Sequence, residues 1–517
     1  MDQRRGDGLQ LPRRQPVQTS ATLSSPLQRV AIIGTGLAGL STAYLLQNDQ
    51  HKRYAVTLFE QADSLSFDSA SVAVKNSNTA VTERVDLPMR AAAGGYYHNL
   101  LRLYHHLRIP LHPIRFLFVF AKAPSSTEKP AKLSQPESRR PNSTDAERAA
   151  AAPGAYFVHA SNLHQMPPPW PGNRGVVPHL LEILYLIICQ FWFSVACFTV
   201  QPREASASCS GGESFADYLQ RIWLPRRYVS HYLLPLLSSV STCSHDELLA
   251  FPASDVVNYK KMSHGQQHYT VCGGVSQVQS TLAEGLKDIR LGTRVVEVVP
   301  GANQSCVIVR WQSTDGSAKV AEQAFDRVVL AVSPDVAGSI FKPLRSTLTK
   351  IPTLRVESSV LRPDAAQANS VTVDNSTSPM TCAHHLGDTS PSQVITLRTR
   401  FSDTNSSQTE ALHLMPSGVV VSTCPLDGTA DAKQTLKTAR FTRTLRTTES
   451  RAVIEKIMRG AVRPEKKVEN DATAGWVNGE DNVWLAGAWC WDGMVLLEGC
   501  IVSAMRVAED FGVEIPF

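Results

Sequence analysis

The stretch that decides the fold reads Val30-Ala31-Ile32-Ile33-Gly34-Thr35-Gly36-Leu37-Ala38-Gly39. Val30 to Ile33 is a short apolar run of the kind that forms a buried parallel strand. Leu40, Ala43, Tyr44 and Leu46 continue at helical spacing, and a second apolar run, Ala55 to Phe59, closes on Glu60. Each glycine has a mechanical task. Gly34 permits the tight turn out of the strand, Gly36 lets the backbone approach a pyrophosphate, and Gly39 lets the helix pack close to the strand. The helix N-terminus at Leu37 and Ala38 offers unpaired N–H groups and a partial positive charge to phosphates. Glu60, 21 residues beyond Gly39, is placed to take the adenosine ribose hydroxyls. An acid there also repels a 2′-phosphate, which favours FAD or NAD over NADP. The pattern predicts an α/β chain with a Rossmann-type dinucleotide domain.

Far along the chain, Val483 to Gly487 reads as another buried strand, and from Glu498 the pattern turns helical with apolar Ile501, Val502, Met505 and Ala508. Gly499, Ser503 and Ala504 are small enough for another backbone to approach. Here the chain resembles the flavin amine oxidase superfamily and its FAD/NAD-binding oxidoreductase subgroup, related to protoporphyrinogen oxidase and phytoene desaturase-like enzymes. Ala486-Gly487 and Glu498-Gly499 match that family's last strand and its flavin-reaching helix start. The resemblance implies FAD as cofactor, with Gly487, Leu497 and Glu498 beside the flavin. A helix N-terminus there would stabilise negative charge on the reduced cofactor.

Other segments resemble the same family. Thr293 to Val298 looks like the strand whose backbone, at Val296, packs beside the adenine. Tyr269 to Val275 resembles the re-entry into the FAD domain, and Phe325 to Val332 its next strand. Asp86 to Arg90 with Gly94 to Leu100 resembles a flavin-proximal turn, where Arg90 meets a flavin carbonyl or a phosphate, or makes an ordinary ion pair. The resemblance covers most of 29–120, 265–335 and 475–512. The chain departs from the family in three places. No glycine pair follows Glu60, so Ser66 or Ser69 hydroxyls stand in. Ala488 replaces the acid that bonds the ribityl chain. Leu496 and Leu497 stand where amine oxidases often carry an aromatic wall.

The implied architecture is a three-layer FAD-binding domain with a mostly parallel sheet, built from 29–120, 265–335 and 475–517. A discontinuous α+β substrate domain takes 155–264 and 336–474. Residues 1–28 read as a disordered tail and 123–154 as a flexible insertion. Residues 180–200 are almost wholly apolar and long enough to cross a bilayer. A crossing would separate two halves that share one cofactor, which favours a helix buried in the substrate domain or docked on a membrane surface, with spanning as the remaining alternative.

Flavin accepts the hydride directly, so few obligatory side chains are expected. His264, His268 and Tyr269, just before the re-entry, are the candidates for handling protons, each equally readable as a structural residue. The net charge of +5 over 517 residues is too thin to argue for nucleic acid. The ten cysteines include no C-x-x-C pair, and His384-His385 has no ligand partners in sequence, so no metal site is read. The expected protein is intracellular, cytoplasmic or membrane-associated. It is expected to be an FAD-dependent oxidoreductase acting on an amine or an apolar CH–CH bond of a small-molecule substrate, with oxygen or a quinone as electron acceptor. Two alternatives stand beside it: a desaturase or isomerase of a lipophilic, isoprenoid-like substrate, and a non-catalytic flavin-binding protein.

Overall fold

The computed structural model describes residues 26–76, 81–124, 153–163, 168, 170, 175–204, 212–301, 305–316, 319–362, 371–374, 392–402, 406–426, 434–458 and 475–517. The tail and most of the insertion read from the sequence lie outside the described residues, as do His384 and His385.

Five parallel strands form the central sheet: β1 (Gln28–Ile33), β2 (Tyr54–Phe59), β3 (Asp288–Arg290), β4 (Arg327–Leu330) and β5 (Val483–Leu485). Their order is β3-β2-β1-β4-β5, with β1 paired in register to both β2 and β4. The sheet is apolar on both faces because both are covered. Val30 and Ile32 enter one core, and Ala31 and Ile33 enter the other. Six helices matter for the site: α1 (Leu37–Gln47), α2 (His98–His106), α3 (Val176–Thr199), α4 (Ala253–Ser263), α5 (Ser276–Ala283) and α6 (Leu497–Asp510). α1 lies on the first face with α5 and α6 packed against it. The second face is covered by the antiparallel sheet Thr293–Pro300, Val307–Ser313, Val320–Phe325 and by helix Pro334–Ile340. The result is three layers: helices, parallel sheet, antiparallel sheet.

A second, seven-stranded mixed sheet runs Thr435–Thr444, Thr353–Leu361, Val420–Thr423, Gln408–Leu414, Gln393–Arg400, Phe116–Lys122, Ala155–Ala160. Phe116–Lys122 pairs with Gln393–Arg400 and Ala155–Ala160. Ala337 and Ile340, and Val453, Ile454 and Ile457 of helix Thr448–Met458, pack into the core on the second face of the central sheet.

α3 is not a core helix. Its buried residues, His179, Glu182, Leu186, Cys189, Phe193, Ala196 and Cys197, form one stripe at three- and four-residue spacing. Val177, Leu180, Leu181, Leu184, Ile187, Ile188 and Phe191 are exposed on the other side. The helix is inverted relative to an ordinary surface helix. Its ionised residue faces inward, where Glu182 receives both hydrogen bonds of Arg227 (2.8 and 2.7 Å) and the hydroxyl of Tyr232. By length and composition α3 could cross a membrane.

Candidate functional site

The turn after β1 is closed to side chains at two glycines and open at the third. Gly34 has φ +101°, and a Cβ on it would meet the Ala331 carbonyl oxygen at 2.5 Å. A Cβ on Gly39 would stand 2.0 Å from the Gly34 oxygen, so helix and strand touch there. Gly36 faces open space, with nothing within 4 Å of its added Cβ. The first turn of α1, from Leu37 through Ala38, has no side-chain cap and no acid. Its amides are therefore available to an anion.

Glu60 is buried at the end of β2. Its Oε2 accepts from the Thr35 amide (3.1 Å) and hydroxyl (2.5 Å), and its Oε1 accepts from the Ala62 amide (3.1 Å). The segment lacking a glycine pair is fastened to the same point, since the Ser66 amide donates to the Thr35 hydroxyl at 2.9 Å. Ser69 instead bonds the Ser66 carbonyl. Val296 sits at a bulge: Val295 and Glu297 pair across to Trp311 and Arg310, and Val296 is the extra residue between them. A bulge leaves its residue's backbone outside the ladder, and this strand begins beside Glu60, whose carbonyl accepts from Thr293.

The C-terminal segment arrives at this same turn. In the first turns of α6, the Cys500 thiol lies against the backbone amides of Ala38 and Ala488, and burial pushes it up to about 11. Gly487 donates its amide to Ser503 at 2.9 Å. A Cβ on Gly499 would meet the Trp491 indole at 2.4 Å and the Ala488 oxygen at 2.6 Å. Leu497 opens α6, preceded by buried Leu496. Glu498 does something the sequence did not disclose. Its Oε1 accepts from the Asn99 amide (2.9 Å) and Nδ2 (2.7 Å), and its Oε2 accepts from the Leu100 amide (3.0 Å). It thus supplies the N-terminal cap of α2, which has none from its own residues.

Asp86, Tyr259, Arg443 and Cys500 are all part-exposed, and burial is the main cause of the shifted pKa of each. Asp86 is pushed up to about 6 by burial and accepts from the Val275 amide at 3.2 Å. The Gly273-Gly274 turn presses on it: with φ +85°, Gly274 brings its α-carbon where a Cβ would be 2.9 Å from Asp86 Oδ1. Arg90 stacks on Phe67 (4.7 Å) and bonds the Phe67 carbonyl at 3.2 Å, but its buried Nε has no partner. An orphaned guanidinium N–H suits an anionic cofactor. Tyr96 packs edge-on against Tyr97, Tyr259 and Trp491, with ring centroids 4.8–5.9 Å apart. Arg446, 2% exposed, donates to the carbonyls of Trp489 (3.1 Å) and Trp491 (2.9 Å) and stands 3.9 Å from Asp255. The segment that follows strand Thr435–Thr444 thereby holds the loop after β5. No motif marks Arg443, Arg446 or Tyr259 in the sequence.

The proton-handling candidates separate. His264 is exposed at the end of α4, bonded to Lys260 (3.1 Å) and against Phe198 of α3. His268 packs edge-on against Phe116 with an unpartnered Nδ1, and burial lowers its pKa, keeping it neutral near pH 7. The ring of Tyr269 lies 3.7 Å from where a Cβ on Gly94 would be. Among the described residues no three His, Cys, Asp or Glu side chains form a metal-holding group.

A family of NAD(P)-binding Rossmann-like domains matches residues 32–107, and the flavin containing amine oxidoreductase family matches residues 227–511. The chain belongs to the flavin containing amine oxidoreductase family. It is accordingly an FAD oxidoreductase. No curated protein matches the chain in sequence. Among solved structures, it is similar to a fatty acid isomerase from P. acnes (TM-score 0.53, 11% identity, 94% of this chain and 98% of that one). It is also similar to a putrescine oxidase (TM-score 0.50, 12% identity, 95% and 100%). At these identities the likeness is one of fold.

Proposed function

We propose that this FAD oxidoreductase oxidises a lipophilic molecule at an amine-bearing carbon or across a CH–CH bond, collecting it from a membrane surface at α3. The observation that carries the reading is the outward apolar face of α3. Burying such a stripe in a leaflet gains about 25 cal/mol for each Å² removed from water. A lipid surface fits better than a second protein because cations flank the stripe along its length. Exposed Arg226 and half-exposed Arg227 lie near its first turns, fully projecting Trp223 lies near its middle, and Lys261, bonded to Gln201, lies near its end. Lys and Arg beside an apolar face, with Trp at the boundary, match an anionic leaflet.

Inside, FAD when bound supplies the hydride acceptor at N5, with oxygen or a quinone restoring it. The chain's own residues position and exclude. Gly36 and the first amides of α1 take the pyrophosphate, Glu60 the ribose, the Val296 backbone the adenine, and Arg90 an anionic or carbonyl oxygen. Leu496, Tyr96 and Trp491 keep the reacting end dry. The desaturase or isomerase version is favoured by Leu496 and Leu497, where an aromatic wall for an amine nitrogen would otherwise stand. Anaerobic addition of n-alkylamines and of isoprenoids to the purified protein tests the chemistry: bleaching of the visible flavin band by either class is expected, and bleaching by neither overturns it. Flotation with phosphatidylglycerol vesicles tests the surface. The wild type should float and Leu184→Glu/Phe191→Glu should not; equal behaviour of the two, or a salt-insensitive dimer in place of flotation, overturns the docking.

A further inference from the structure

A thiol, an imidazole and a hydroxyl meet on a small three-stranded sheet, in which His268–Val271 lies between Ala92–Ala93 and Leu111–Ile114. Leu111–Ile114 and His268–Val271 run antiparallel, with His112 directly opposite Thr270. The pairing continues one step further, since the Cys272 amide donates to the Pro110 carbonyl at 2.9 Å. Alternate residues of a strand share a face, so Thr270 and Cys272 project to the same side. His112 is the cross-strand neighbour of the first and the diagonal neighbour of the second. Its ring reaches both: Nε2 lies 2.9 Å from the Thr270 hydroxyl, and Nδ1 lies 3.4 Å from the Cys272 sulfur. Straight after the thiol, Gly273 and Gly274 take positive φ (72° and 85°) and turn the chain out of the strand. Cys272, His112 and Thr270 are all part-exposed.

A thiol within reach of a base, with the base oriented by a third group, is the arrangement that activates a nucleophile. When Nε2 carries its proton and donates to Thr270, Nδ1 is left as an acceptor facing the thiol. It can take the thiol proton and hold the thiolate as one half of an ion pair. A part-exposed thiolate so held is open to small electrophiles, and the proton stored on Nδ1 favours one whose leaving group needs it. Hydrogen peroxide is such an electrophile, because its departing oxygen leaves readily only as water. Reoxidation of reduced flavin by oxygen would release that oxidant at the enzyme itself.

We propose that Cys272 is a peroxide-reactive thiol, oxidised to its sulfenic acid with His112 as the proton carrier. The thiol proton passes to His112 Nδ1. The sulfur electron pair then forms an S–O bond to one peroxide oxygen while the O–O bond breaks, and the departing oxygen takes the proton from Nδ1 and leaves as water. Sulfur loses two electrons and peroxide gains them, so thiol and hydrogen peroxide become sulfenic acid and water. The test adds hydrogen peroxide to the reduced, desalted protein at pH 7 with dimedone present, and follows each cysteine by peptide mass spectrometry. Cys306 is the internal reference: it is part-exposed too and has no bond to a histidine among the described residues. Cys272 should be trapped at least ~10-fold faster than Cys306, and His112→Asn should remove at least ~10-fold of that rate, as expected for a lost proton carrier. Thr270→Val, which keeps a strand-forming side chain and removes only the orienting hydroxyl, should slow it by less; it also serves if His112→Asn does not fold. Trapping no faster than at Cys306, or wild-type rates in both variants, overturns the proposal. Rapid alkylation of Cys272 by iodoacetamide without peroxide trapping also overturns it, since the thiol would then serve another electrophile. Because the peroxide is added, the result stands whether or not flavin is bound; protein that purifies without flavin sinks the oxidoreductase reading instead.

Discussion

Glu498→Gln separates two roles that sequence could not tell apart. If the carboxylate is the cap of α2, its loss is felt by the fold before any cofactor binds. A glutamine keeps one oxygen for the Asn99 amide and side chain but turns an NH2 toward the Leu100 amide, leaving that buried donor unsatisfied. An orphaned buried amide costs ~1–3 kcal/mol, and losing the charge at a helix N-terminus costs a further ~0.3–2 kcal/mol. Part is recovered, because Glu498 is 2% exposed and burial is the main influence on it, raising its pKa. A neutral side chain avoids that desolvation. The expected net loss is about 1–3 kcal/mol. The assay is urea unfolding of flavin-free protein by far-UV circular dichroism, repeated with saturating FAD. The variant should show a lower midpoint in both, by a similar free energy. A flavin-free midpoint equal to wild type, with FAD affinity reduced, would refute the capping argument and make Glu498 a cofactor ligand.

Four further outcomes follow from particular contacts. Gly36→Ala should fold with wild-type stability, since its Cβ enters open space, yet lose flavin. Gly39→Ala should lose ~1–3 kcal/mol of stability or more through its 2.0 Å backbone contact, which calorimetry on flavin-free protein checks. His245 and His413 are buried and bonded to Thr409 and Gln393, and burial lowers each to about 4. A depressed histidine pKa means stability complete above pH ~6.5 and lost as pH falls toward 4. The unfolded chain protonates first, and each site contributes up to about 3 kcal/mol. His413→Gln should flatten the acid limb of a urea-midpoint profile between pH 6.5 and 4; an unchanged slope would show that His413 is not the source. Asp49 behaves in the same sense through its bonds to Arg53, which hold its carboxyl well below the usual range. Asp49→Asn should remove a stabilisation that wild type keeps above pH ~4 and loses below it.

What was legible in the chain was whatever is encoded locally. The turn Gly34 to Gly39 demands its glycines because neighbours within a few residues, or one strand away, crowd them, and apolar runs of four to six residues announced β1, β2 and β5. The junction of Gly487 with Glu498 was legible because both belong to one short connection. Contacts set by distant chain were not. The bonds of Glu498 to α2, some 400 residues earlier, leave no trace in its local sequence, which matches only the family's flavin-reaching helix start. Arg443 carries no pattern, and its bond to the Ser241 carbonyl, about 200 residues earlier, comes only with the fold. α3 was readable as an apolar helix, but both of its sides are apolar. Arg227 and Tyr232, about fifty residues on, decide which side turns inward.

Joining β1 to α6 has a consequence for how the protein is made. Residues 33 and 510 leave the ribosome hundreds of residues apart, ~25–95 s at the usual ~5–20 residues per second. Through that interval the central sheet lacks β5 as an edge strand and α1 lacks the helix that should lie against it. Flavin cannot be gripped early and then wrapped. It has to be captured as a late event, once α6 has packed against α1.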